Sequence, residues 1–371
     1  MFRFILFSLL IVSAYSNPQV TFIVKAPDGT DQVTVTGNLD ELGNWNPASV
    51  PMEKIGDNEF FFELEIPKGT ILEYKFTRGS WMTEALLEDK SIPLNHQLYV
   101  FCDTTIIYTI PFWKDELIML GSGITGTVRY HKNVYSPQLK NERNIVVWLP
   151  PSYSSNPDHR YPVLYLLDGQ NCFDPKTSFA GQDWQLDETA TDLTTRGLMK
   201  EIIMVGIYNS EDRKAEYSPV HRGNQYCDFL INTVKPFIDS TYRTLTDNKH
   251  TATMGSSMGG IISFHLAWEY PDVFSMSGCL SPAFFVDDNE IVLRVKGYSG
   301  SDKGIKLAIF NGTEGLDADL QPAIDEMIAE LSKKGFLGNK NLLYKVFKGA
   351  EHNESAWAEQ VPEVLPFFFG K

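Results

Sequence analysis

Cysteine is scarce in this chain, with only 4 residues among 371. They lie far apart in the sequence, at Cys102, Cys172, Cys227 and Cys279. Such dispersed cysteines exclude both a dense disulfide framework and the closely spaced cysteine pairs of a structural zinc site. Two alternatives stay open, namely a single disulfide and buried free thiols.

Positive charge is also in short supply. The chain has 32 Lys and Arg residues against 47 Asp and Glu residues, which gives a net charge of −15. Because nucleic acids and anionic membranes are bound through basic patches, neither is expected as a partner. A neutral ligand, such as a sugar or another small molecule, fits this charge balance better.

Long apolar runs are missing except at the N-terminus, so no membrane span is expected in the remainder of the chain. The first residues read "MFRFILFSLLIVSAYSNP", with a basic start at Arg3 and small residues at Ala14 and Ser16. The apolar stretch is too short to cross a bilayer, and the pattern is that of a signal peptide over residues 1–16. A buried strand is the alternative. The signal peptide predicts an exported protein, either secreted or periplasmic.

Residues 17–112 have the pattern of an all-β domain. Segments such as "VTFIVKAP", "EFFFELEIP" and "LEYKFTRG" alternate in polarity or are rich in β-branched and aromatic residues. Gly, Pro, Asn and Asp separate them, and no helical period intervenes. This pattern predicts a small β-sandwich.

Residues 113–371 follow a different pattern. Short apolar strands such as "NIVVWLPPSY", "YPVLYLLDG" and "EIIMVGIYN" alternate with amphipathic helical stretches such as "DLQPAIDEMIAELSKKG". Alternating strands and helices predict a mostly parallel sheet covered by helices on both faces. The change of pattern at "PFWKDE" marks the predicted domain boundary.

The segment "HTATMGSSMGGIISF" contains the candidate nucleophile. A β-like lead-in is followed by a helical pattern, so Ser256 and Ser257 lie at a strand-to-helix turn, as a nucleophile elbow requires. The elbow is sharp, and the residues two before and two after the nucleophile must be small. Those residues are Gly255 and Gly259 for Ser257, whereas both are methionines for Ser256. The segment therefore favours Ser257 as nucleophile over a simple helix-capping loop.

A serine hydroxyl needs a general base. In this fold class the chain order is Ser, then acid, then His, and only His265 and His352 follow Ser257. His265 lies inside the helix that begins at the elbow. His352 lies in a loop between the last strand pattern and the last helix, where a general base belongs, and it is the predicted base.

The acid is expected in the Gly-rich loop of "KLAIFNGTEGLDADL". Glu314 is the first carboxylate after the strand and is predicted to orient His352, with Asp317 and Asp319 as alternatives.

Two backbone N–H groups are predicted to form an oxyanion hole. The elbow directs the N–H of Met258 toward the developing oxyanion. The second donor is expected after the strand "YPVLYLLDG", where Gly169 lets the backbone turn and Gln170 follows. An ordinary Asp-Gly turn is the alternative interpretation of this loop.

Several stretches closely resemble a family of esterases. They are "VLYLLDGQNCFDPKTSFAGQDWQLDET", "VGIYNSEDRKAEYSP", the long segment around "MGSSMGG", and "AEHNESAW". The family includes esterase D, enterochelin esterases, feruloyl and acetylxylan esterases, and the mycolyltransferases. The resemblance covers residues 113–371 and implies an α/β-hydrolase fold without a large lid.

The resemblance also assigns roles to single residues. Ser257 corresponds to the family nucleophile and His352 to its base, while Glu314 falls on the acid position of the family's loop, which reads "NGTE" here. Gln170 and Met258 fall on the family's oxyanion donors.

The N-terminal domain resembles a family 20 carbohydrate-binding module, the starch-binding type. The stretches "VTVTGNLDELGNWNP" and "LEYKFTRGSW" carry this resemblance. It implies starch or glucan binding, with Trp45 as a stacking tryptophan, Lys75 as a polar contact and Asn95 as the asparagine of the family's "N-R" step. Trp81 is displaced from the second tryptophan position and is predicted either to stack on a sugar or to pack inward.

Together the two resemblances imply an exported serine carboxylic ester hydrolase that works through an acyl-enzyme. Carbohydrate-linked esters of the acetyl or feruloyl type are the expected substrates, with siderophore-type esters as an alternative. An acyltransferase with the same acyl-enzyme and a non-catalytic carbohydrate-binding protein are the two rival functions. Neither a metal nor an organic cofactor is expected.

Overall fold

The computed structural model describes residues 17–88, 93–114, 124–179 and 181–371. The predicted signal peptide, residues 1–16, lies outside this part of the chain. Two compact units are present, Met1–Leu120 and Gly121–Lys371.

The N-terminal unit is built from short strands in its described part. They are β1 (Gln19–Lys25), β2 (Thr34–Gly37), β3 (Glu53–Lys54), β4 (Glu59–Glu65), β5 (Ile71–Thr77), β6 (Ala85–Leu86), β7 (His96–Tyr99), β8 (Thr104–Thr109) and β9 (Phe112–Trp113). They form a four-stranded sheet in the order β3-β4-β1-β8, a three-stranded sheet in the order β2-β5-β7, and the pair β6-β9.

Alternating side chains of these strands create one core. Val20, Phe22 and Val24 of β1 point inward, and they pack with Leu72 and Phe76 of β5. This period of two is what a two-layer β structure requires. The prediction of a β-sandwich is confirmed.

The C-terminal unit contains one large sheet. Its strands are β10 (Thr127–Ser136), β11 (Asn141–Leu149), β12 (Val163–Leu167), β13 (Ile203–Ile207), β14 (Thr251–Ser256), β15 (Met276–Leu280), β16 (Lys306–Asn311) and β17 (Leu342–Val346). The order is β10-β11-β13-β12-β14-β15-β16-β17. The pairs β10–β11 and β11–β13 are antiparallel, and the other pairs are parallel.

Eight α-helices accompany this sheet in the described chain. They are α1 (Leu186–Thr195), α2 (Arg213–Glu216), α3 (Gly223–Phe229), α4 (Lys235–Thr241), α5 (Met258–Glu269), α6 (Val286–Gly297), α7 (Leu316–Lys333) and α8 (Glu354–Phe369). Side chains of α1 and α8 pack on one face of the sheet, and those of α3 to α7 pack on the other. This arrangement confirms the predicted α/β-hydrolase fold, with helices on both faces of a mostly parallel sheet.

The predicted boundary at residue 112 falls inside a strand. Trp113 belongs to β9, which pairs with β6, and its side chain is fully buried in the N-terminal core. The backbone N–H of Lys114 donates to the carbonyl of Glu84. The first unit therefore extends past residue 112, because its core needs this tryptophan.

All four cysteines are free thiols, so the alternative of a single disulfide is wrong. Cys102 is exposed, while Cys172, Cys227 and Cys279 are buried in three separate hydrophobic clusters. Burial raises the pKa of each of these three thiols.

No helix in the described ranges combines the length and the apolar character that a membrane crossing needs.

Candidate active site

Ser257 occupies a strained turn between β14 and α5. Its φ of 54° and ψ of −121° lie in a region that residues with a side chain rarely adopt. The turn is held on both sides, because the Ser257 N–H donates to the carbonyl of Leu280 and the Ser257 carbonyl accepts from Ala283, at 2.9 and 3.2 Å. The side chain is half-buried at the N-terminus of α5. This geometry agrees with the predicted elbow.

Close contacts explain why the residues on both sides of Ser257 are glycines. A Cβ atom on Gly255 would lie 2.4 Å from the carbonyl oxygen of Gly259. A Cβ atom on Gly259 would lie 3.1 Å from Asp168 Oδ2. Ser256, in contrast, ends β14 and is buried. The spacing argument used on the sequence thus has a direct steric basis.

His352 is hydrogen-bonded to Asp317, not to Glu314. Its Nδ1 lies 2.6 Å from Asp317 Oδ1, and Asp317 is fully buried. Glu314 is exposed and its Oε1 accepts from the hydroxyl of Thr313, while Asp319 is also exposed. The predicted assignment of Glu314 is corrected by this contact, and Asp317 takes its place.

The loop conformation explains why the first carboxylate is passed over. The N–H groups of Thr313 and Glu314 both donate to the carbonyl of Ala350, each at 3.1 Å. These two hydrogen bonds hold the loop against the segment that carries His352. The chain then turns into α7, and Asp317 comes back onto the N–H of Gly312 at 2.8 Å. Glu314 is left on the outside of this turn.

The sequence analysis missed two residues that support the His–Asp pair. Ser281 Oγ donates to Asp317 Oδ2 at 2.8 Å, and Trp357 Nε1 donates to Ser281 Oγ at 3.0 Å. The Trp357 ring also contacts His352 edge-on, with ring centroids 5.1 Å apart. The carboxylate of Asp317 therefore has partners on both oxygens, as a buried carboxylate requires.

The two predicted oxyanion donors are available. Gln170 lies in a 3₁₀ turn, Gly169–Asn171, directly after β12, and Met258 is the first residue of α5. Within the described ranges, neither backbone N–H has a hydrogen-bond acceptor. Each donor is therefore free to bind an anionic oxygen.

Asp168 anchors the loop that carries Gln170, a role that the sequence analysis did not identify. It has a φ of 55°, and its carboxylate accepts two hydrogen bonds from Arg213, both at 2.7 Å, and one from Asn209 at 2.8 Å. Such a bidentate pair fixes geometry as well as charge. The quoted stretch "VGIYNSEDRKAEYSP" contains both partners, but its spacing does not reveal which carboxylate they hold.

Gly169 lies very close to neighbouring backbone near the site. A Cβ atom there would lie 2.2 Å from the carbonyl carbon of Gly206 on β13. We expect Gly169→Ala to lower the free energy of unfolding by about 3 kcal/mol, because backbone must move to accept the methyl group. Urea unfolding measures the effect. Gly297→Ala is the matched control, since a Cβ atom there has nothing within 4 Å, and an equal loss in both variants contradicts the steric argument.

His265 is a core residue. It is fully buried, and its Nε2 lies 2.9 Å from Asn224 Oδ1. Burial, followed by the charge of Arg294, lowers the pKa of His265 to about 4. It is therefore neutral near pH 7, and it does not belong to the His352–Asp317 pair.

The four predicted sugar-binding residues differ in their exposure and in their contacts. Trp45 and Trp81 are partly exposed and contact each other, with ring centroids 6.5 Å apart and planes tilted by 35°. Lys75 forms an ion pair with Glu84 at 2.5 Å, with both side chains largely buried. Asn95 is exposed and donates to Glu73 Oε2 at 3.2 Å. The two tryptophans therefore lie side by side, whereas the Lys75 ammonium is already paired with the Glu84 carboxylate.

Comparison with known proteins shows which families the two parts of the chain match. A family model described as "Putative esterase" matches residues 136–368, and one described as "Starch binding domain" matches residues 17–97. The uncharacterized protein YbbA of Bacillus subtilis (strain 168) is 21% identical over 258 residues, covering 65% of this chain and 98% of YbbA.

Two solved structures illustrate the likeness. A ferulic acid esterase has a TM-score of 0.54 at 22% identity, covering 66% of this chain and 98% of the other. The enterobactin esterase FES from Shigella flexneri has a TM-score of 0.55 at 14% identity, covering 94% of this chain and 93% of the other. At these identities the likeness shows the shared fold.

Proposed function

Because the chain belongs to the Putative esterase family of α/β hydrolases, we propose that it is a serine-dependent carboxylic ester hydrolase acting through an acyl-enzyme. Ser257 is the nucleophile, His352 the general base and Asp317 the acid that orients it. One observation carries this assignment: a strained serine at a strand-to-helix turn occurs in the same domain as a histidine hydrogen-bonded to a buried aspartate.

The His352–Asp317 contact fixes which ring nitrogen acts as base. A carboxylate only accepts hydrogen bonds, so Nδ1 carries the proton and Nε2 has a free electron pair. The hydroxyl of Ser257 has no hydrogen-bond partner within the described chain. Catalytic hydrogen bonds often shorten only when substrate binds. In the first step Nε2 takes the Ser257 proton while Oγ attacks the ester carbonyl carbon.

The remaining steps follow from the same groups. The N–H groups of Gln170 and Met258 donate to the oxyanion of the tetrahedral intermediate. His352 then returns the proton to the departing alcohol, which leaves an acyl group on Ser257. Water, activated by the same imidazole, hydrolyses this acyl-enzyme and restores the serine.

Carbohydrate-linked esters are the proposed substrates. The match of residues 17–97 to the starch binding domain and the Trp45–Trp81 pair support a glucan-binding surface. A sugar-binding appendage raises the effective concentration of the hydrolase domain on a polymer. A siderophore-type ester is the second candidate, since FES covers 94% of this chain. Export remains part of the proposal and is supported by the N-terminal sequence alone.

An ester panel tests the proposal. Acetylated and feruloylated saccharides, a siderophore-like ester and p-nitrophenyl acetate are assayed with the wild type and Ser257→Ala, with and without added acceptor sugars. Turnover of a saccharide ester above that of the siderophore-like ester supports the proposal. Transfer to added sugar in preference to water indicates an acyltransferase. Equal turnover of p-nitrophenyl acetate by wild type and variant rejects the serine mechanism.

The tryptophan pair gives a separate prediction for binding. We expect Trp45→Ala or Trp81→Ala to weaken binding to soluble starch by about tenfold or more, because large aromatic side chains dominate such contacts. Affinity electrophoresis in starch-containing gels measures this loss. Phe101→Ala is the control, since Phe101 is an exposed aromatic residue of the same domain. Unchanged mobility of both tryptophan variants contradicts starch binding at this pair.

A further inference from the structure

Three carboxylates that take no part in the proposed catalytic mechanism form a tight group. Asp183 lies three residues before the start of α1, and Asp187 and Glu188 lie in the first turn of this helix. One carboxylate oxygen from each residue lies within 4.8 Å of the other two. Asp183 and Asp187 are buried and Glu188 is half-buried. We call this group the α1 acidic cluster.

The cluster has an unsatisfied oxygen. Asp187 is fully buried; its Oδ2 accepts from the Thr125 backbone N–H at 2.5 Å, while its Oδ1 is buried without a hydrogen-bond partner. Thr125 Oγ1 donates to Glu188 Oε1 at 3.5 Å, and Asp183 Oδ2 accepts from the N–H of Gln185 at 3.1 Å. A buried carboxylate oxygen without a donor is costly. Among the described residues, no positively charged side chain is paired with these carboxylates.

The charges around the cluster do not supply a positive partner. None of the ion pairs within the described ranges involves Asp183, Asp187 or Glu188. The N-terminus of α1 favours acidic residues, but it does not compensate for three of them.

From this geometry we infer that Asp183, Asp187 and Glu188 bind a Ca²⁺ ion. Ca²⁺ prefers oxygen ligands at about 2.3–2.6 Å, so two oxygens on opposite sides of one ion lie roughly 5 Å apart. The separations of at most 4.8 Å within the cluster are compatible with this spacing. The buried Asp187 Oδ1 gains a partner, and water completes the coordination. The sequence analysis expected no metal, because the serine mechanism needs none.

The ion would stiffen the support of the oxyanion loop. The Trp184 N–H donates to the carbonyl of Asn171 at 2.9 Å, and the Leu186 N–H donates to Cys172 at 3.3 Å. The Trp184 ring also contacts Trp357, with centroids 5.7 Å apart. A bound cation therefore stabilises the segment on which the Gln170 turn rests, and it takes no part in the ester chemistry.

Terbium luminescence and thermal unfolding test this inference in the full chain. Tb³⁺ occupies Ca²⁺ sites, and Trp184, adjacent to Asp183, serves as its sensitiser. After chelator treatment we expect saturable Tb³⁺ luminescence that Ca²⁺ displaces. Ca²⁺ at about 100 times its Kd is expected to raise the Tm of the hydrolase domain by roughly 5–10 °C. Mg²⁺ alone is tested in parallel, and binding of Mg²⁺ but not of Ca²⁺ overturns the choice of ion.

Asp187→Asn and Asp192→Asn form the matched pair of variants. The first keeps an acceptor for the Thr125 N–H but removes one ligand charge, so both the luminescence and the Ca²⁺-dependent Tm shift are expected to disappear. Asp192 is exposed on the same helix and paired with Arg196, and its variant is expected to behave as the wild type. If instead Ca²⁺ has no effect on the wild type and Asp187→Asn is more stable than it, Asp187 and Glu188 share a proton and no ion is bound.

Discussion

Replacing Ser257 with alanine is expected to lower kcat for ester hydrolysis by at least about 10⁴-fold. The change removes the attacking oxygen, while the strained backbone and the two free N–H groups stay in place. What remains is the modest acceleration that an oxyanion hole and binding give without a nucleophile. Steady-state kinetics with p-nitrophenyl acetate, together with mass spectrometry of the acyl-enzyme, measure the loss.

Ser256→Ala provides the control for this change. Ser256 is adjacent to Ser257 in sequence, but it is the buried last residue of β14 and precedes the strained turn. Its kcat is expected to stay within about threefold of the wild type. If Ser256→Ala inactivates the protein and Ser257→Ala does not, the elbow has been assigned to the wrong serine.

Replacing Asp317 with asparagine is expected to lower kcat by about 10³- to 10⁴-fold. An amide can donate a hydrogen bond to Nδ1, which then becomes an acceptor and moves the ring proton to Nε2. The imidazole would face the substrate as a donor and could no longer accept the Ser257 proton. The KM is expected to change little, because Asp317 is buried and does not face solvent.

Glu314→Gln separates the two candidate acids. The side chain of Glu314 is exposed, and its hydrogen-bond partner in the described part of the chain is the neighbouring hydroxyl of Thr313. Its kcat is therefore expected to stay within about twofold of the wild type. A large loss in Glu314→Gln with an active Asp317→Asn would show that the acid loop rearranges during turnover.

The elbow could be predicted from the sequence because its constraint is local. A Cβ atom on Gly255 would collide with the backbone of Gly259, four residues further along the chain, so the spacing of small residues reveals this constraint. The alternation of strands and helices is also a local signal, so the layers of the hydrolase domain followed from the sequence. The antiparallel strand β10 gave no such signal, since its burial pattern is irregular and its partner β11 contributes most of the buried surface.

The sequence analysis preferred Glu314 and kept Asp317 as an alternative, because taking the first carboxylate after the strand ignores how the loop folds. A signal was nevertheless present in α7. Its buried positions include Leu320, Ile324, Met327 and Leu331, which recur at helical spacing, and Asp317 lies on the same stripe. A carboxylate on the apolar stripe of an amphipathic helix must have a buried partner. Glu314 precedes the helix and Asp319 is off the stripe, so neither meets this condition.

Pairings between distant side chains could not be predicted. Lys75 and Glu84 are both polar residues of a β domain, and only the folded chain shows that they neutralise each other. The same holds for Asp168 and Arg213, which are 45 residues apart. Spacing rules describe one element at a time, whereas such pairs depend on how strands and loops meet.

The separate burial of the three thiols has a consequence for where this domain can fold. Cys172, Cys227 and Cys279 lie in different clusters, so none can reach another without unfolding. Their raised pKa values also keep them out of the thiolate form that disulfide exchange requires. The hydrolase domain neither needs an oxidising compartment to become stable nor loses stability in a reducing one. Its fold is therefore indifferent to the redox poise of the surroundings, whichever side of a membrane it occupies.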